Sequence, residues 1–178
     1  MEMAFVQRED VMDIVEACVQ RIFKDALNID IPLPLPRMTE HEATERFGID
    51  RPDTRFGLEL QDVTDLMREV DFNVFREAID KGGVVKCIVA SGGDKLTRKI
   101  TDGLTEELKG MGGAGLPLTK VAMAGTGIEL QTGIAKFLQP IAAKLCEKIG
   151  ARTGDTIFFI PGTNADACKY LHHVRTRL

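Results

Sequence analysis

The sequence predicts an α+β fold, a two-layer sandwich in which a mainly antiparallel sheet carries helices on one face, preceded by a separate N-terminal segment. Three observations predict it. Apolar residues recur at helical spacing over Val11 to Ala26 and Leu96 to Leu108. After about residue 62 short apolar runs bounded by glycine take over, such as Val84 to Ala90 and Thr156 to Ile160. Charge also changes sign along the chain. Residues 1–80 carry 9 Lys/Arg and 19 Asp/Glu, a net of −10, whereas residues 81–178 carry 14 and 8, a net of +6. This polarity suggests two units. It has two readings: a solvated face on each half, or a basic half that lies near a polyanion.

Element by element, Met1 to Val6 (MEMAFV) alternates apolar and polar side chains as a strand does. Val11, Ile14, Val15, Cys18, Val19, Ile22, Phe23 and Ala26 then mark an amphipathic helix, with Asp10 and Asp13 in its first turn where the helix dipole favours anions. The apolar stripe is broad enough to require a larger body, most simply a sheet. Pro32, Pro34 and Pro36 fix φ and remove amide donors, giving an extended connector. Thr39 with Glu42 forms a capping box for a two-turn helix that Gly48 closes. A polar loop follows over Asp50 to Phe56, then a short strand over Leu58 to Val63.

Val84 to Ala90 (VVKCIVA) predicts a buried strand that ends at Ser91-Gly92-Gly93. Leu96, Ile100, Leu104 and Leu108 mark a helix that stops in a glycine run. Strands are expected at Lys120 to Met123 and, pairing with it, Ile128 to Leu130. Phe137, Ile141, Leu145 and Ile149 give a helix ended by Gly150. Thr156 to Ile160 is a strand, and Thr163 caps a final helix carrying Ala167, Tyr170, Leu171 and Val174.

The 178 residues suit one ordinary domain or two small ones, and 44% hydrophobic content implies a real core. Cys18, Cys87, Cys146 and Cys168 stand far apart among apolar neighbours and read as reduced core residues. No apolar run approaches the roughly 20 residues of a membrane helix, and no basic-then-apolar leader is seen. A soluble, cytoplasmic protein without membrane association is expected.

Few patterns carry chemistry. Gly110, Gly112 and Gly115 satisfy G-x-G-x-x-G formally, yet they follow a helix and meet Pro117, where a dinucleotide fingerprint follows a strand and opens a helix. No Walker phosphate loop occurs. Cys168 and His172 lie one turn apart, but two ligands do not make a zinc site, and neither His172-His173 nor Ser91 sits in a catalytic pattern. No catalytic residue and no metal ligand is therefore assigned. Lys95, Arg98 and Lys99 cluster behind the Ser91-Gly92-Gly93 turn and are read either as solvated charges or as a phosphate receptor. Lys169, Arg175 and Arg177 form a weaker second cationic group.

The stretch MEMAFVQREDVMDIVE resembles the second strand of class II synthetase motif two and the helix behind it, as found in aspartyl-tRNA synthetases. PRMTEHEATERFGIDRPDTRFGLEL resembles a segment of the bacterial members that usually continues into Gly-Ser-Asp-Lys-Pro-Asp-x-Arg. The chain departs from it at Glu40, Ile49 and Arg51 and keeps Asp50, Pro52, Asp53 and Arg55. The remainder resembles the GAD insertion of those enzymes, which a glutamyl-tRNA amidotransferase subunit also contains. Its marks are LTRK at Leu96 to Lys99, Gly115-Leu116 before a strand, GIAKFL at Gly133 to Leu138, and GDTIFF at Gly154 to Phe159.

The resemblance implies a partial catalytic-core segment over residues 1–62 and a GAD insertion domain over residues 63–178. It further implies part of an aspartate–tRNA ligase, inactive alone, whose partners are tRNA and the remainder of the synthetase, itself a homodimer. ATP and magnesium would belong to the full-length enzyme, with no cofactor in this chain. Glu2 would border the family's active site, with Asp50, Asp53 and Arg55 in a loop near it, and Lys95, Arg98 and Lys99 would contact RNA. The alternative is a free-standing GAD-type module associated with tRNA, as in the amidotransferase subunit.

Overall fold

A computed structural model describes residues 2–125 and 127–178. They fall into two compact units, one reaching to Met38 and the other spanning Thr39–Leu178. Residues 39–62 cluster with the second unit.

The first unit is built on α1 (Arg8–Leu27). A reciprocal cap starts it: the Asp10 carboxylate accepts from the Gln7 amide at 2.8 Å while the Gln7 side chain accepts from the Asp10 amide. Asn28 ends it in the left-handed conformation, φ +53, and donates back to the Lys24 carbonyl. The proline-rich stretch is fastened to the helix by polar side chains. Arg37 reaches Glu16 at 3.2 Å and Asp13 at 3.1 Å, and Gln20 donates to the Ile31 carbonyl at 2.7 Å.

The strand expected over Met1 to Val6 is not formed among its described residues. Met1 lies outside the described residues; Glu2–Val6 make no ladder, and Phe5 turns to φ +56. A strand alternation without a neighbouring strand leaves its amides and carbonyls unpaired, so pattern alone does not hold it extended. Cys18, expected in the core, is exposed on the same helix as the exposed Val11, Ile14, Val15 and Ile22.

The second unit carries a five-stranded antiparallel sheet of order β1-β2-β5-β3-β4, formed by Gln61–Asp62, Val84–Ala90, Thr156–Gly162, Leu118–Ala124 and Gly127–Gln131 respectively. The expected α+β class is therefore what the structure shows. Its helices are α2 (Glu40–Phe47), α3 (Thr64–Met67), α4 (Asn73–Asp80), α5 (Arg98–Gly110), α6 (Ala135–Leu138), α7 (Ala142–Ile149) and α8 (Asn164–Arg177).

Helices cover both faces of the sheet, where the sequence reading placed them on one. The cause is in the strands themselves, since β2 and β5 are apolar on both sides of the pleat. Val85, Cys87, Ile157 and Phe159 face α4 and α7, whereas Ile88, Phe158 and Ile160 face α5 and α8. Each such side chain, fully buried, contributes about 1.5–3 kcal/mol, and an open face would forfeit it.

Two further elements differ from the sequence pattern. Only Gln61–Asp62 of the predicted Leu58–Val63 strand pairs with β2, because Leu58 takes φ +62 and the Leu60 amide donates to the Arg46 carbonyl at the end of α2. The single helix expected from Phe137 to Ile149 is broken by Pro140 into α6, a 3-10 turn over Gln139–Ile141, and α7. Gln139 in that turn protects the sheet edge. Its side chain accepts from the Leu130 amide at 2.8 Å and donates to the Ile128 carbonyl at 3.1 Å, in place of a neighbouring strand.

Candidate nucleic-acid interface

β2 ends at Ala90, and the chain turns through Gly92, φ +63, into a 3-10 turn over Gly93–Lys95 that leads to α5. Gly93 lies against β5 so closely that a Cβ there would sit 2.9 Å from the Thr156 Cβ. The turn is also pinned by polar groups. Asp155 accepts from the Gly92 amide at 3.1 Å and the Arg152 amide at 2.8 Å, and the Asp94 amide donates to the Gly154 carbonyl. The Lys120 ammonium donates to the carbonyls of Asp94 at 2.8 Å and Leu96 at 3.1 Å.

The amides of Gly92, Asp94, Lys95 and Leu96 are thus already engaged inside the protein. What the turn presents outward is cationic side chains. Lys95, Arg98 and Lys99 are all exposed within five residues of one another. The Arg98 side chain is 93% exposed, and its ion partner Asp102 stands at 3.5 Å, so the pair is weak and solvated. Beside α5 a half-enclosed cleft of about 500 Å³ opens, with Arg98, Asp102, Thr105 and Lys120 among its lining residues.

The other residues singled out from the sequence are placed differently. Glu2 is exposed in the first unit, whereas Asp50, Asp53 and Arg55 share one loop of the second. Arg55 grips both Asp53 carboxylate oxygens, at 2.9 and 2.5 Å, and this hydrogen bonding pushes the Asp53 carboxyl down to about 2. Asp53 and Arg55 therefore satisfy each other.

The residue that organises this loop was misjudged from the sequence. Arg175, grouped there with the surface cations, is 1% exposed. Its guanidinium lies between the rings of Phe47 at 4.9 Å and Phe56 at 4.2 Å and donates to the carbonyls of Asp53 at 2.6 Å and Phe56 at 3.0 Å. Burial lowers its pKa. The signal was available: Arg175 stands four residues after Leu171, on the apolar stripe of α8.

A second buried cation, Lys86 on β2, donates to Glu45 of α2 at 2.7 Å and to the Cys168 sulfur at 3.4 Å. The Lys86 hydrogen bond, seconded by Asn164, holds the Glu45 carboxyl below its usual range. Cys168 and His172 do not converge, because the His172 Nδ1 faces the Phe47 carbonyl at 3.1 Å. Among the described residues no group of three or more His, Cys, Asp or Glu side chains could hold a metal ion, and no helix is long and apolar enough to cross a membrane.

Comparison with known proteins identifies two kinds of similarity. The GAD domain family model matches residues 75–171. Over its whole length the chain is similar to aspartate–tRNA ligases. It is 41% identical to the aspartate–tRNA(Asp/Asn) ligase of Persephonella marina over 97% of this chain and 28% of that enzyme. It is 41% identical to the aspartate–tRNA ligase of Staphylococcus carnosus and 44% identical to that of Staphylococcus saprophyticus, each over 99% of this chain and 30% of the enzyme. The chain therefore spans about 30% of the length of these relatives.

Proposed function

Because the chain belongs to the GAD-domain family and shares its full length with one part of aspartate–tRNA ligases, we propose that it works as part of such a ligase, with its second unit facing tRNA. One observation carries this reading. The similarity to the ligases runs over 97–99% of the chain, well beyond the residues that match the GAD model. The first unit therefore has a counterpart in those enzymes too, and its α1 exposes the apolar side chains Val11, Ile14, Val15 and Ile22. Such a stripe fits docking against the remainder of a ligase.

In this reading the reaction of aspartate with ATP and magnesium takes place on other parts of the enzyme, in the cytoplasm. The described residues offer no donor set that fits a metal ion. Their contribution is positional: the second unit presents Lys95, Arg98 and Lys99 to tRNA phosphates, and Asp53 and Arg55 satisfy each other in the loop that also carries Asp50 and that Arg175 holds. Aspartate-dependent exchange of pyrophosphate into ATP tests the assignment. The chain alone is expected to show no exchange; appreciable turnover would place the reacting groups within it and overturn the reading.

A further inference from the structure

Resting on the tRNA-facing reading of the second unit, we propose that the cleft beside α5 receives one unpaired nucleobase of a single-stranded or looped RNA segment, whose flanking phosphates lie on Lys95, Arg98 and Lys99. The cleft of about 500 Å³ falls within the roughly 300–1,000 Å³ of small-ligand sites. Leu96, Leu116, Pro117, Leu118 and Ile134 give it apolar walls. A phosphate inside the cleft would lie against these apolar walls, and of the two cations in the lining Lys120 is already engaged by the Asp94 and Leu96 carbonyls, which leaves Arg98. It would also meet the Asp102 carboxylate.

An apolar slot beside a cationic rim suits a ligand with a flat, uncharged body on an anionic tether, and a nucleotide in a flexible strand has that shape. Among the described residues the guanidinium of Arg98 has one ion partner, Asp102, which is exposed and 3.5 Å away, so it can turn to a phosphate flanking the base. Asp102 can then accept from a base N–H.

The wall opposite α5 is held in an unusual backbone. Thr132, a β-branched residue, takes φ +66, and Gly133 follows at φ +52. A Cβ at Gly133 would fall 2.0 Å from the Leu118 carbonyl oxygen. Left-handed Thr is costly and is retained where surrounding structure enforces it. Here it shapes one side of the cleft. A base inside a duplex cannot reach a half-enclosed slot without leaving its stack, so the site selects unpaired RNA.

Fluorescence anisotropy at low salt tests this with three probes of one mixed sequence: a single-stranded oligoribonucleotide, its duplex, and a single strand with abasic positions. The single strand is expected to bind about tenfold tighter than either of the others, the scale of one base platform. Thr105→Phe, which places a ring in the cleft from α5, is expected to bring the single-strand to duplex ratio to about one; thermal melting checks that it folds. The abasic probe asks the same question of the unaltered protein. Equal binding of all three probes, or a preference that survives Thr105→Phe, overturns the inference while leaving the tRNA-facing reading intact. Absence of binding to any RNA overturns both.

Discussion

Arg175 and Lys86 are the two buried cations of the second unit, and they hold different things by different means. Arg175 donates to two loop carbonyls from a single nitrogen, Nη2, while its guanidinium lies over the rings of Phe47 and Phe56. Lysine has no planar group to lie over those rings. Arg175→Lys is expected to destabilise the unit by about 2 kcal/mol and to speed tryptic cleavage at Arg51 and Arg55; unchanged cleavage would show that the loop does not depend on the guanidinium. Lys86 is satisfied mainly by Glu45, whose side chain is 33% exposed while that of Lys86 is 1% exposed. The pair is asymmetric for that reason. Glu45→Gln leaves an ammonium buried and is expected to cost about 2 kcal/mol, less than for a fully buried pair because Glu45 is partly solvated. Lys86→Met leaves a carboxylate that water can reach and is expected to change stability by less than about 1 kcal/mol. The pH sign follows from the depressed Glu45 carboxyl. Its contribution is complete above the ordinary glutamate value of about 4.3 and is lost as pH falls through the lower folded value. Denaturant midpoints measured from neutral pH downward should therefore fall less in Glu45→Gln than in the parent; parallel acid limbs would contradict the assignment.

At the level of elements, α1 is a well-capped helix whose apolar residues Val11, Ile14, Val15 and Ile22 remain exposed. Helices of this kind associate when no partner is supplied. Size-exclusion chromatography of the chain is expected to show self-association that Ile14→Gln with Ile22→Gln removes; identical profiles for both proteins would mean the stripe is not adhesive. Periodicity read most elements well. The helix over residues 11–26, the buried strand at Val84 to Ala90, the β3–β4 pairing and the Thr163 cap are all present as expected. What periodicity missed depended on partners rather than on pattern. The alternation at Met1 to Val6 has no ladder among Glu2–Val6, Leu58–Leu60 turns back to α2, and Pro140 removes an amide in mid-helix. Within the candidate site, the exposure of Lys95, Arg98 and Lys99 was legible from their spacing. The cleft was not, because its walls come from α5, from the segment before β3 and from the turn after β4. Nor was the role of Arg175, whose loop partners lie about 120 residues away in sequence.

On the scale of the whole molecule, charge and burial divide along the chain. The −10 of residues 1–80 and the +6 of residues 81–178 place the cationic excess in the portion that includes the sheet strands β2 to β5. Two apolar clusters, one on each face of the sheet, make that portion a rigid support for surface cations. Asp155 and Lys120 pin the turn that leads into α5, so Lys95, Arg98 and Lys99 project from a held stretch of backbone. We propose that this group meets tRNA phosphates. The most direct measurement is the affinity of the chain for tRNA as salt is varied, with and without the combined change Lys95→Glu, Arg98→Glu and Lys99→Glu. Loss of three phosphate contacts is expected to weaken binding most at low salt and to make the log–log salt dependence shallower by about 2 to 3. Equal affinity of the two proteins at both low and high salt would contradict it.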